Sequence, residues 1–263
     1  MGMNIDMRQH HWTARGLTLI ELLVTISVIA LLIAILLPAL SASRGAAQDI
    51  DCKARMRGVV TEFTMFADPA AGVPQGDSEA LCGDKFRLED FQERMYGVSE
   101  FWGGGEGDRQ SLSRSEVSLM CPASKGPLER RSGMPCSAGA IGPQANVSTG
   151  FNKRLEEKWV YLPDFDRNIR QPVYLSSKVL SQPDVPLVFD VDGRAAASSG
   201  QIPYYSAPPI LNDKIVDMYE TGSFWFPGKR HGERMNVGFI GGHVLSSAEP
   251  TTEPFWRWTY VPE

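Results

Sequence analysis

The sequence predicts an α+β protein: a long N-terminal helix, apolar and then amphipathic, packed on a loop-rich, mostly antiparallel β-sheet head. Three observations carry this expectation. Residues 17–40 read LTLIELLVTISVIALLIAILLPAL, an apolar run broken by a single carboxylate, Glu21. Cys52, Met56, Val59, Phe63 and Phe66 then recur at spacings of four, three, four and three, which draws one apolar stripe along a helix. Beyond residue 68, prolines and glycines separate short apolar segments, as turns separate short strands.

The 24 residues of the apolar run would rise about 36 Å as a helix, against a hydrocarbon core of about 30 Å. Before the run, His10-His11-Trp12-Thr13-Ala14-Arg15-Gly16 is polar and basic. That side is expected to stay cytoplasmic and everything past residue 40 to lie outside. A secretory signal would be shorter and followed by a small-x-small cleavage site, which Ala39-Leu40-Ser41-Ala42-Ser43 matches only loosely. A plain membrane anchor leaves Glu21 unexplained, because a carboxylate at that depth costs about 2.5–3.5 kcal/mol on insertion scales. The amphipathic part carries Asp51, Lys53, Arg55, Arg57 and Glu62 opposite its apolar stripe. It is expected to end at Ala67, since Asp68-Pro69 stops a helix.

Arg15-Gly16-Leu17-Thr18-Leu19-Ile20-Glu21 resembles the cleavage and methylation site of type IV prepilins and type II secretion pseudopilins. The resemblance implies that a prepilin peptidase cuts between Gly16 and Leu17 and that Leu17 becomes the methylated N-terminus. The family usually carries Phe where Leu17 stands. Glu21 falls on the fifth mature position, where the family has its glutamate, and Pro38 on the twenty-second, where many members have a helix-kinking proline. The implied organisation is a leader over 1–16, a transmembrane and assembly half of the helix over 17–40, an amphipathic half over 41–67, and an exported head over 68–263. Glu21 would set the register of assembly by pairing with the free amine of a neighbouring subunit, because an unpaired charge in low dielectric is costly. Implied partners are other pilin-like subunits, the peptidase, an assembly platform and the bacterial inner membrane.

The resemblance extends along the chain through Cys52, Cys121-Pro122, and Arg230-His231-Gly232 with Gly242-His243-Val244 near the end. One class of prepilin-like proteins ends in a His-x9-Asp-Gly motif followed by His-Val. Here His231 is followed after nine residues by Gly241, Gly242 and His243, so glycine stands where the motif has aspartate. Asn236-Val237-Gly238-Phe239-Ile240 reads as a strand entering a Gly-Gly hairpin turn, with the glycines supplying positive φ. Other strand candidates are Lys158–Leu162, Val173–Leu175, Leu187–Val191 and Met235–Ile240, and Phe86–Tyr96 is a short helix candidate.

The head's chemistry is sparsely marked. With a formal net charge of −5 and no basic cluster longer than Glu129-Arg130-Arg131, nucleic acid is not an expected partner. Cys52, Cys82, Cys121 and Cys136 form no CxxC pair, so no zinc site of the usual spacing is expected. In an exported head these four admit one or two disulfides, in any of the three full pairings. No metal residues and no cofactor are assigned. Asp190 and Asp192 alternate before a turn and read as solvated carboxylates rather than a calcium site, and His231 and His243 as hydrogen-bonding residues rather than metal ligands. Gly103-Gly104-Gly105-Glu106-Gly107 lacks the Gly-Lys-Ser/Thr of a phosphate loop. With no nucleophile elbow or HExxH, the chain is not expected to be an enzyme. The aromatic tail Phe255-Trp256-Arg257-Trp258-Thr259-Tyr260 reads as a terminal edge strand, or as a contact surface. Two functions are weighed: a fibre subunit, and a membrane-anchored ligand-binding or adhesive head with an aromatic pocket at Trp225, Phe226 or Trp256.

Overall fold

The computed structural model describes residues 18–72, 85–96, 111–112, 119–124, 128–131, 142–144, 147–199, 201, 205–211 and 218–262. Two compact units are distinguished, Met1–Arg44 and Gly45–Glu263. Helix α1 runs from Leu19 to Ala67 and continues through Pro38. From Leu19 to Leu40 every large apolar side chain is exposed, and α1 is the one helix among the described residues long and apolar enough to cross a membrane. Its first turn is held by a reciprocal cap. The Thr18 backbone N–H and hydroxyl both donate to Glu21 Oε2, at 2.9 and 2.8 Å, while Glu21 N–H donates to Thr18 Oγ1 at 3.3 Å, the Thr-x-x-Glu capping box.

Past Gly45 the expected stripe is buried: Cys52, Met56, Val59, Phe63 and Phe66 are each at most 1% exposed. The helix ends at Ala67, after which Asp68 accepts from the Ala70 N–H and caps a short 3-10 turn at Pro69–Ala71. Helix α2, Leu88–Tyr96, carries Glu89 and Asp90 in its first turn, where the helix dipole favours negative charge. A small antiparallel sheet joins β1 (Ser111–Leu112), β2 (Leu128–Arg131) and β3 (Gly142–Gln144).

The principal sheet is built from β4 (Thr149–Asn152), β7 (Pro186–Asp190), β8 (Tyr205–Ser206), β9 (Met235–Phe239) and β10 (Val244–Ser247), in the order β10-β9-β7-β4-β8. All neighbours are antiparallel except β4 and β8. A separate hairpin pairs β5 (Glu157–Leu162) with β6 (Arg167–Pro172). Helix α3 is short, Gly193–Ser198.

Strands β4, β7 and β9 are buried along their whole length because both faces of the sheet are covered. Alternation assigns the faces. Val188 pairs with Gly238 and Phe189 with Val237. A Cβ added at Gly238 would meet Val188 Cγ1 at 2.9 Å, Val60 Cγ2 at 3.2 Å and Met56 Cβ at 3.6 Å, so this face carries α1. Phe151 of β4, opposite Val188, joins it and meets Phe91 and Tyr96 of α2. Phe63 and Phe66 complete an edge-to-face cluster with Phe86 and Phe91, centroids 5.2–6.0 Å apart.

The other face carries Phe189 and Phe239. The chain end covers them, Trp258 meeting Phe189 at 5.1 Å and Trp256 meeting Phe239 at 5.0 Å, both edge-on. The tail is thus not an edge strand. It is a run of turns that fixes its indoles individually, with Trp258 Nε1 donating to Pro250 O at 2.9 Å. Val173–Leu175 is likewise no strand, and contributes one bridge from Leu175 to Phe86.

Because α1 lies on β9 where a side chain is missing, Gly238→Ala is expected to destabilise the protein by about 1–3 kcal/mol through overpacking. Thermal unfolding of the full chain in detergent, followed by near-ultraviolet circular dichroism of the aromatic cluster, measures it.

Candidate functional site

Asp190 ends β7, two residues past Val188, so alternation turns it toward α1. There it is wholly buried, which corrects the expectation of a solvated carboxylate. Burial is opposed by local bonding: the Asn236 N–H donates to Asp190 Oδ2 at 3.0 Å, and Arg230 Nη1 lies 3.8 Å from Oδ1. Asp192, in contrast, is exposed. Its Oδ1 accepts from the Arg194 and Ala195 N–H groups at 3.0 and 3.2 Å, capping α3, so the two aspartates share no site.

Three further polar side chains converge on Asp190. Cys52, on the buried stripe of α1, places Sγ 3.5 Å from Asp190 Oδ1 across 138 residues of chain. Cys121 stands in a turn, with its carbonyl accepting from the Ser124 N–H at 2.9 Å and its own N–H donating to Ser148 Oγ at 2.6 Å. His231 opens the tight turn into β9. Gly232 and Glu233 both take positive φ, 61° and 60°, as the centre of a type I′ turn requires, and Arg234 N–H closes it on His231 O at 3.2 Å. The ring points inward, with Nε2 3.1 Å from Cys121 Sγ. One donor atom from each of Cys52, Cys121, Asp190 and His231 lies within 4.8 Å of the other three.

A second layer holds these four. Asp49, one turn before Cys52 on α1, puts Oδ1 3.8 Å from His231 Nδ1. Asp49 is itself bound by Asn236 Nδ2 at 2.8 Å and by Lys53 Nζ at 2.7 Å. Electrostatically the cluster is strained by its own burial. A hydrogen bond from Cys52 and the His231 ring favour the Cys121 thiolate and pull its pKa down, against burial. The Cys52 thiol is pushed up by that hydrogen bond to Cys121, then by burial. Burial, then the Cys121 charge, push Asp190 up to about 7. His231 is raised, chiefly by its bond to Cys121.

The motif residues at the chain end divide. His231 enters the cluster, whereas His243 stacks on Phe239 with centroids 4.5 Å apart and takes no part in it. Gly242 has φ 88° and its N–H donates to Phe239 O at 2.9 Å, closing the β9–β10 turn as expected. Gly241 does not use positive φ. Its N–H donates to Pro183 O at 3.1 Å, and a Cβ there would lie 2.7 Å from Pro183 Cβ. The motif's aspartate has no room at this position.

Of the other residues singled out from the sequence, Glu21 and Pro38 lie on α1, and Gly16, Leu17, Cys82 and Cys136 lie outside the described residues. Cys52 and Cys121 are free thiols. The aromatics weighed for a ligand pocket serve the core instead: Trp225 packs on Phe189 and Trp258, Trp256 on Phe239, and Phe226 is 8% exposed. Sequence reasoning grouped Cys52, Cys121 and His231 only as features of a resemblance and missed that they meet at Asp190, because the four come from distant segments. The available signal was a cysteine on the apolar stripe beside Asp49.

Comparison with protein-family profiles, with curated proteins and with solved structures found no match.

Restoring the motif's aspartate is expected to cost stability rather than create a site. Gly241→Asp should lower stability by about 1–3 kcal/mol through the clash with Pro183, read as a drop in melting temperature.

Proposed function

We propose that this chain is a prepilin-like structural subunit with a pilin-like fold. It is held before assembly in a bacterial inner membrane, its N-terminus cytoplasmic and its head outside. A prepilin peptidase cuts after Gly16, Leu17 is methylated, and an assembly platform packs the helix with those of other pilin-like subunits into a pilus- or pseudopilus-like fibre. The observation that carries this reading is the division of labour along one helix. From Leu19 to Leu40 α1 exposes every large apolar side chain, a surface that lipid or neighbouring helices must cover. From Cys52 onward the same helix buries its stripe in the sheet of the head. Membrane anchoring requires only the first half. A helix that serves both as membrane segment and as the core element of the head is what a fibre built by helix packing needs.

Glu21 has two tasks to separate. It closes the capping box with Thr18, and in the fibre reading its charge pairs with the amine of a neighbour. Glutamine supports a capping box as well as glutamate does but carries no charge. The full chain co-expressed with a prepilin peptidase should therefore yield a product beginning at N-methyl-Leu17 by peptide mass spectrometry. Glu21→Gln should still be cut but should fail to assemble into sedimentable fibres. An uncut chain, or one cut near Ala42, contradicts the reading. Normal assembly of Glu21→Gln would leave Glu21 with the capping role alone.

A further inference from the structure

We infer that Cys52, Cys121, His231 and Asp190 form a closed, structural zinc(II) site that ties α1 to the sheet of the head. The donor set is the first argument. Two sulfurs, one imidazole nitrogen and one carboxylate oxygen suit a borderline-soft cation with four-coordinate tetrahedral preference, which is zinc. The spacing is the second. With Zn–S near 2.3 Å and Zn–N near 2.0 Å, tetrahedral donors sit about 3.3–3.8 Å apart. Here Cys52 Sγ to Asp190 Oδ1 is 3.5 Å, Cys121 Sγ to His231 Nε2 is 3.1 Å, and no pair exceeds 4.8 Å. Displacements of under about 1 Å would seat the ion.

The outer layer is the third argument. A ligating histidine commonly gives its other ring N–H to a carboxylate, which fixes the tautomer and raises basicity. Asp49 lies 3.8 Å from His231 Nδ1 while Nε2 faces the sulfur. The second oxygen of Asp190 is held by the Asn236 N–H. Charge also balances closely: two thiolates and a carboxylate around a dication leave one negative charge, and Arg230 Nη1 stands 3.8 Å from Asp190 Oδ1. On binding, the protons held by the Cys52 thiol, by the hydrogen-bonded Cys121–His231 pair and by any protonated Asp190 leave for solvent. Nothing is oxidised or reduced.

Burial decides between a structural ion and a catalytic dyad. Cys52 and Cys121 are each 1% exposed and Asp190 is wholly buried, and the His231 side chain is 4% exposed. A nucleophile so enclosed cannot meet a substrate, and four protein ligands leave no open coordination position. The ion site is independent of how the N-terminus is processed.

The test uses the full chain purified in detergent without chelator. Elemental analysis should find one zinc per chain. After exchange, cobalt(II) should give the intense visible bands of tetrahedral coordination and the near-ultraviolet charge transfer of two thiolates. Cys52→Ser and Cys121→Ser should each lose the ion. Asp49→Asn should keep one ion but bind it about 10–100-fold more weakly, measured by competition with a chelating indicator. The cobalt spectrum of the unaltered chain carries the test if the serine variants do not fold. A Cys52–Cys121 disulfide in the peptide map of the purified chain would overturn the site. So would free thiols with no zinc bound after equilibration with the metal, a six-coordinate cobalt spectrum, or zinc retained in folded serine variants.

Discussion

The close approach of α1 to strands β7 and β9 is the contact on which the rest of the head depends. It exists because β9 presents no side chain at Gly238, where Met56 and Val60 of the helix lie against Val188 of the sheet. Once the helix is seated there, its periodicity places the neighbouring turns. One turn before Met56, Cys52 comes to lie beside Asp190, and a further turn back Asp49 comes beside Asn236. In the other direction Phe63 and Phe66 reach Phe91 of α2.

A polar cluster in such a place is unusual for a helix–sheet contact. Burying a carboxylate and two ionisable thiols is unfavourable unless each finds compensation. Hydrogen bonds supply part of it, through the Asn236 N–H and the Cys121–His231 pair, but the negative charges still oppose one another. A dication would turn that mutual repulsion into attraction and join the helix, a turn, β7 and the entry to β9 at one point. The hydrophobic contact positions the helix, and the cluster makes its axial register specific, since a shift of one turn would remove Cys52 from its partners.

The legible parts of the fold were those with a local pattern in the chain. The stripe on α1, the stop at Asp68-Pro69 and the hairpin at Gly242 carry such patterns, while β5, β7 and β9, the last two buried on both faces, were legible as short apolar runs between turn residues. Strand β6 was not legible, because its residues Arg167–Pro172 form an exposed hairpin with few apolar side chains. Strand β4 was not either, since Thr149-Gly150-Phe151-Asn152 holds a single large apolar residue and so forms no apolar run. The tail misled by composition: dense aromatics suggest a strand, yet Trp256 and Trp258 reach the core from turns, where packing of single indoles suffices.

The sequence by itself determined the long helix, its apolar first half and amphipathic second half, and the antiparallel character of the head. Each follows from local periodicity and local stop signals, which neighbouring residues specify between themselves. Only the tertiary structure decided that Asp190 is buried, that Gly241 is a point of close approach rather than a positive-φ turn residue, and that Cys52, Cys121, Asp190 and His231 meet. Those depend on contacts between segments as far as 187 residues apart. No spacing rule links such segments, because their relative positions are set by how the helix seats on the sheet.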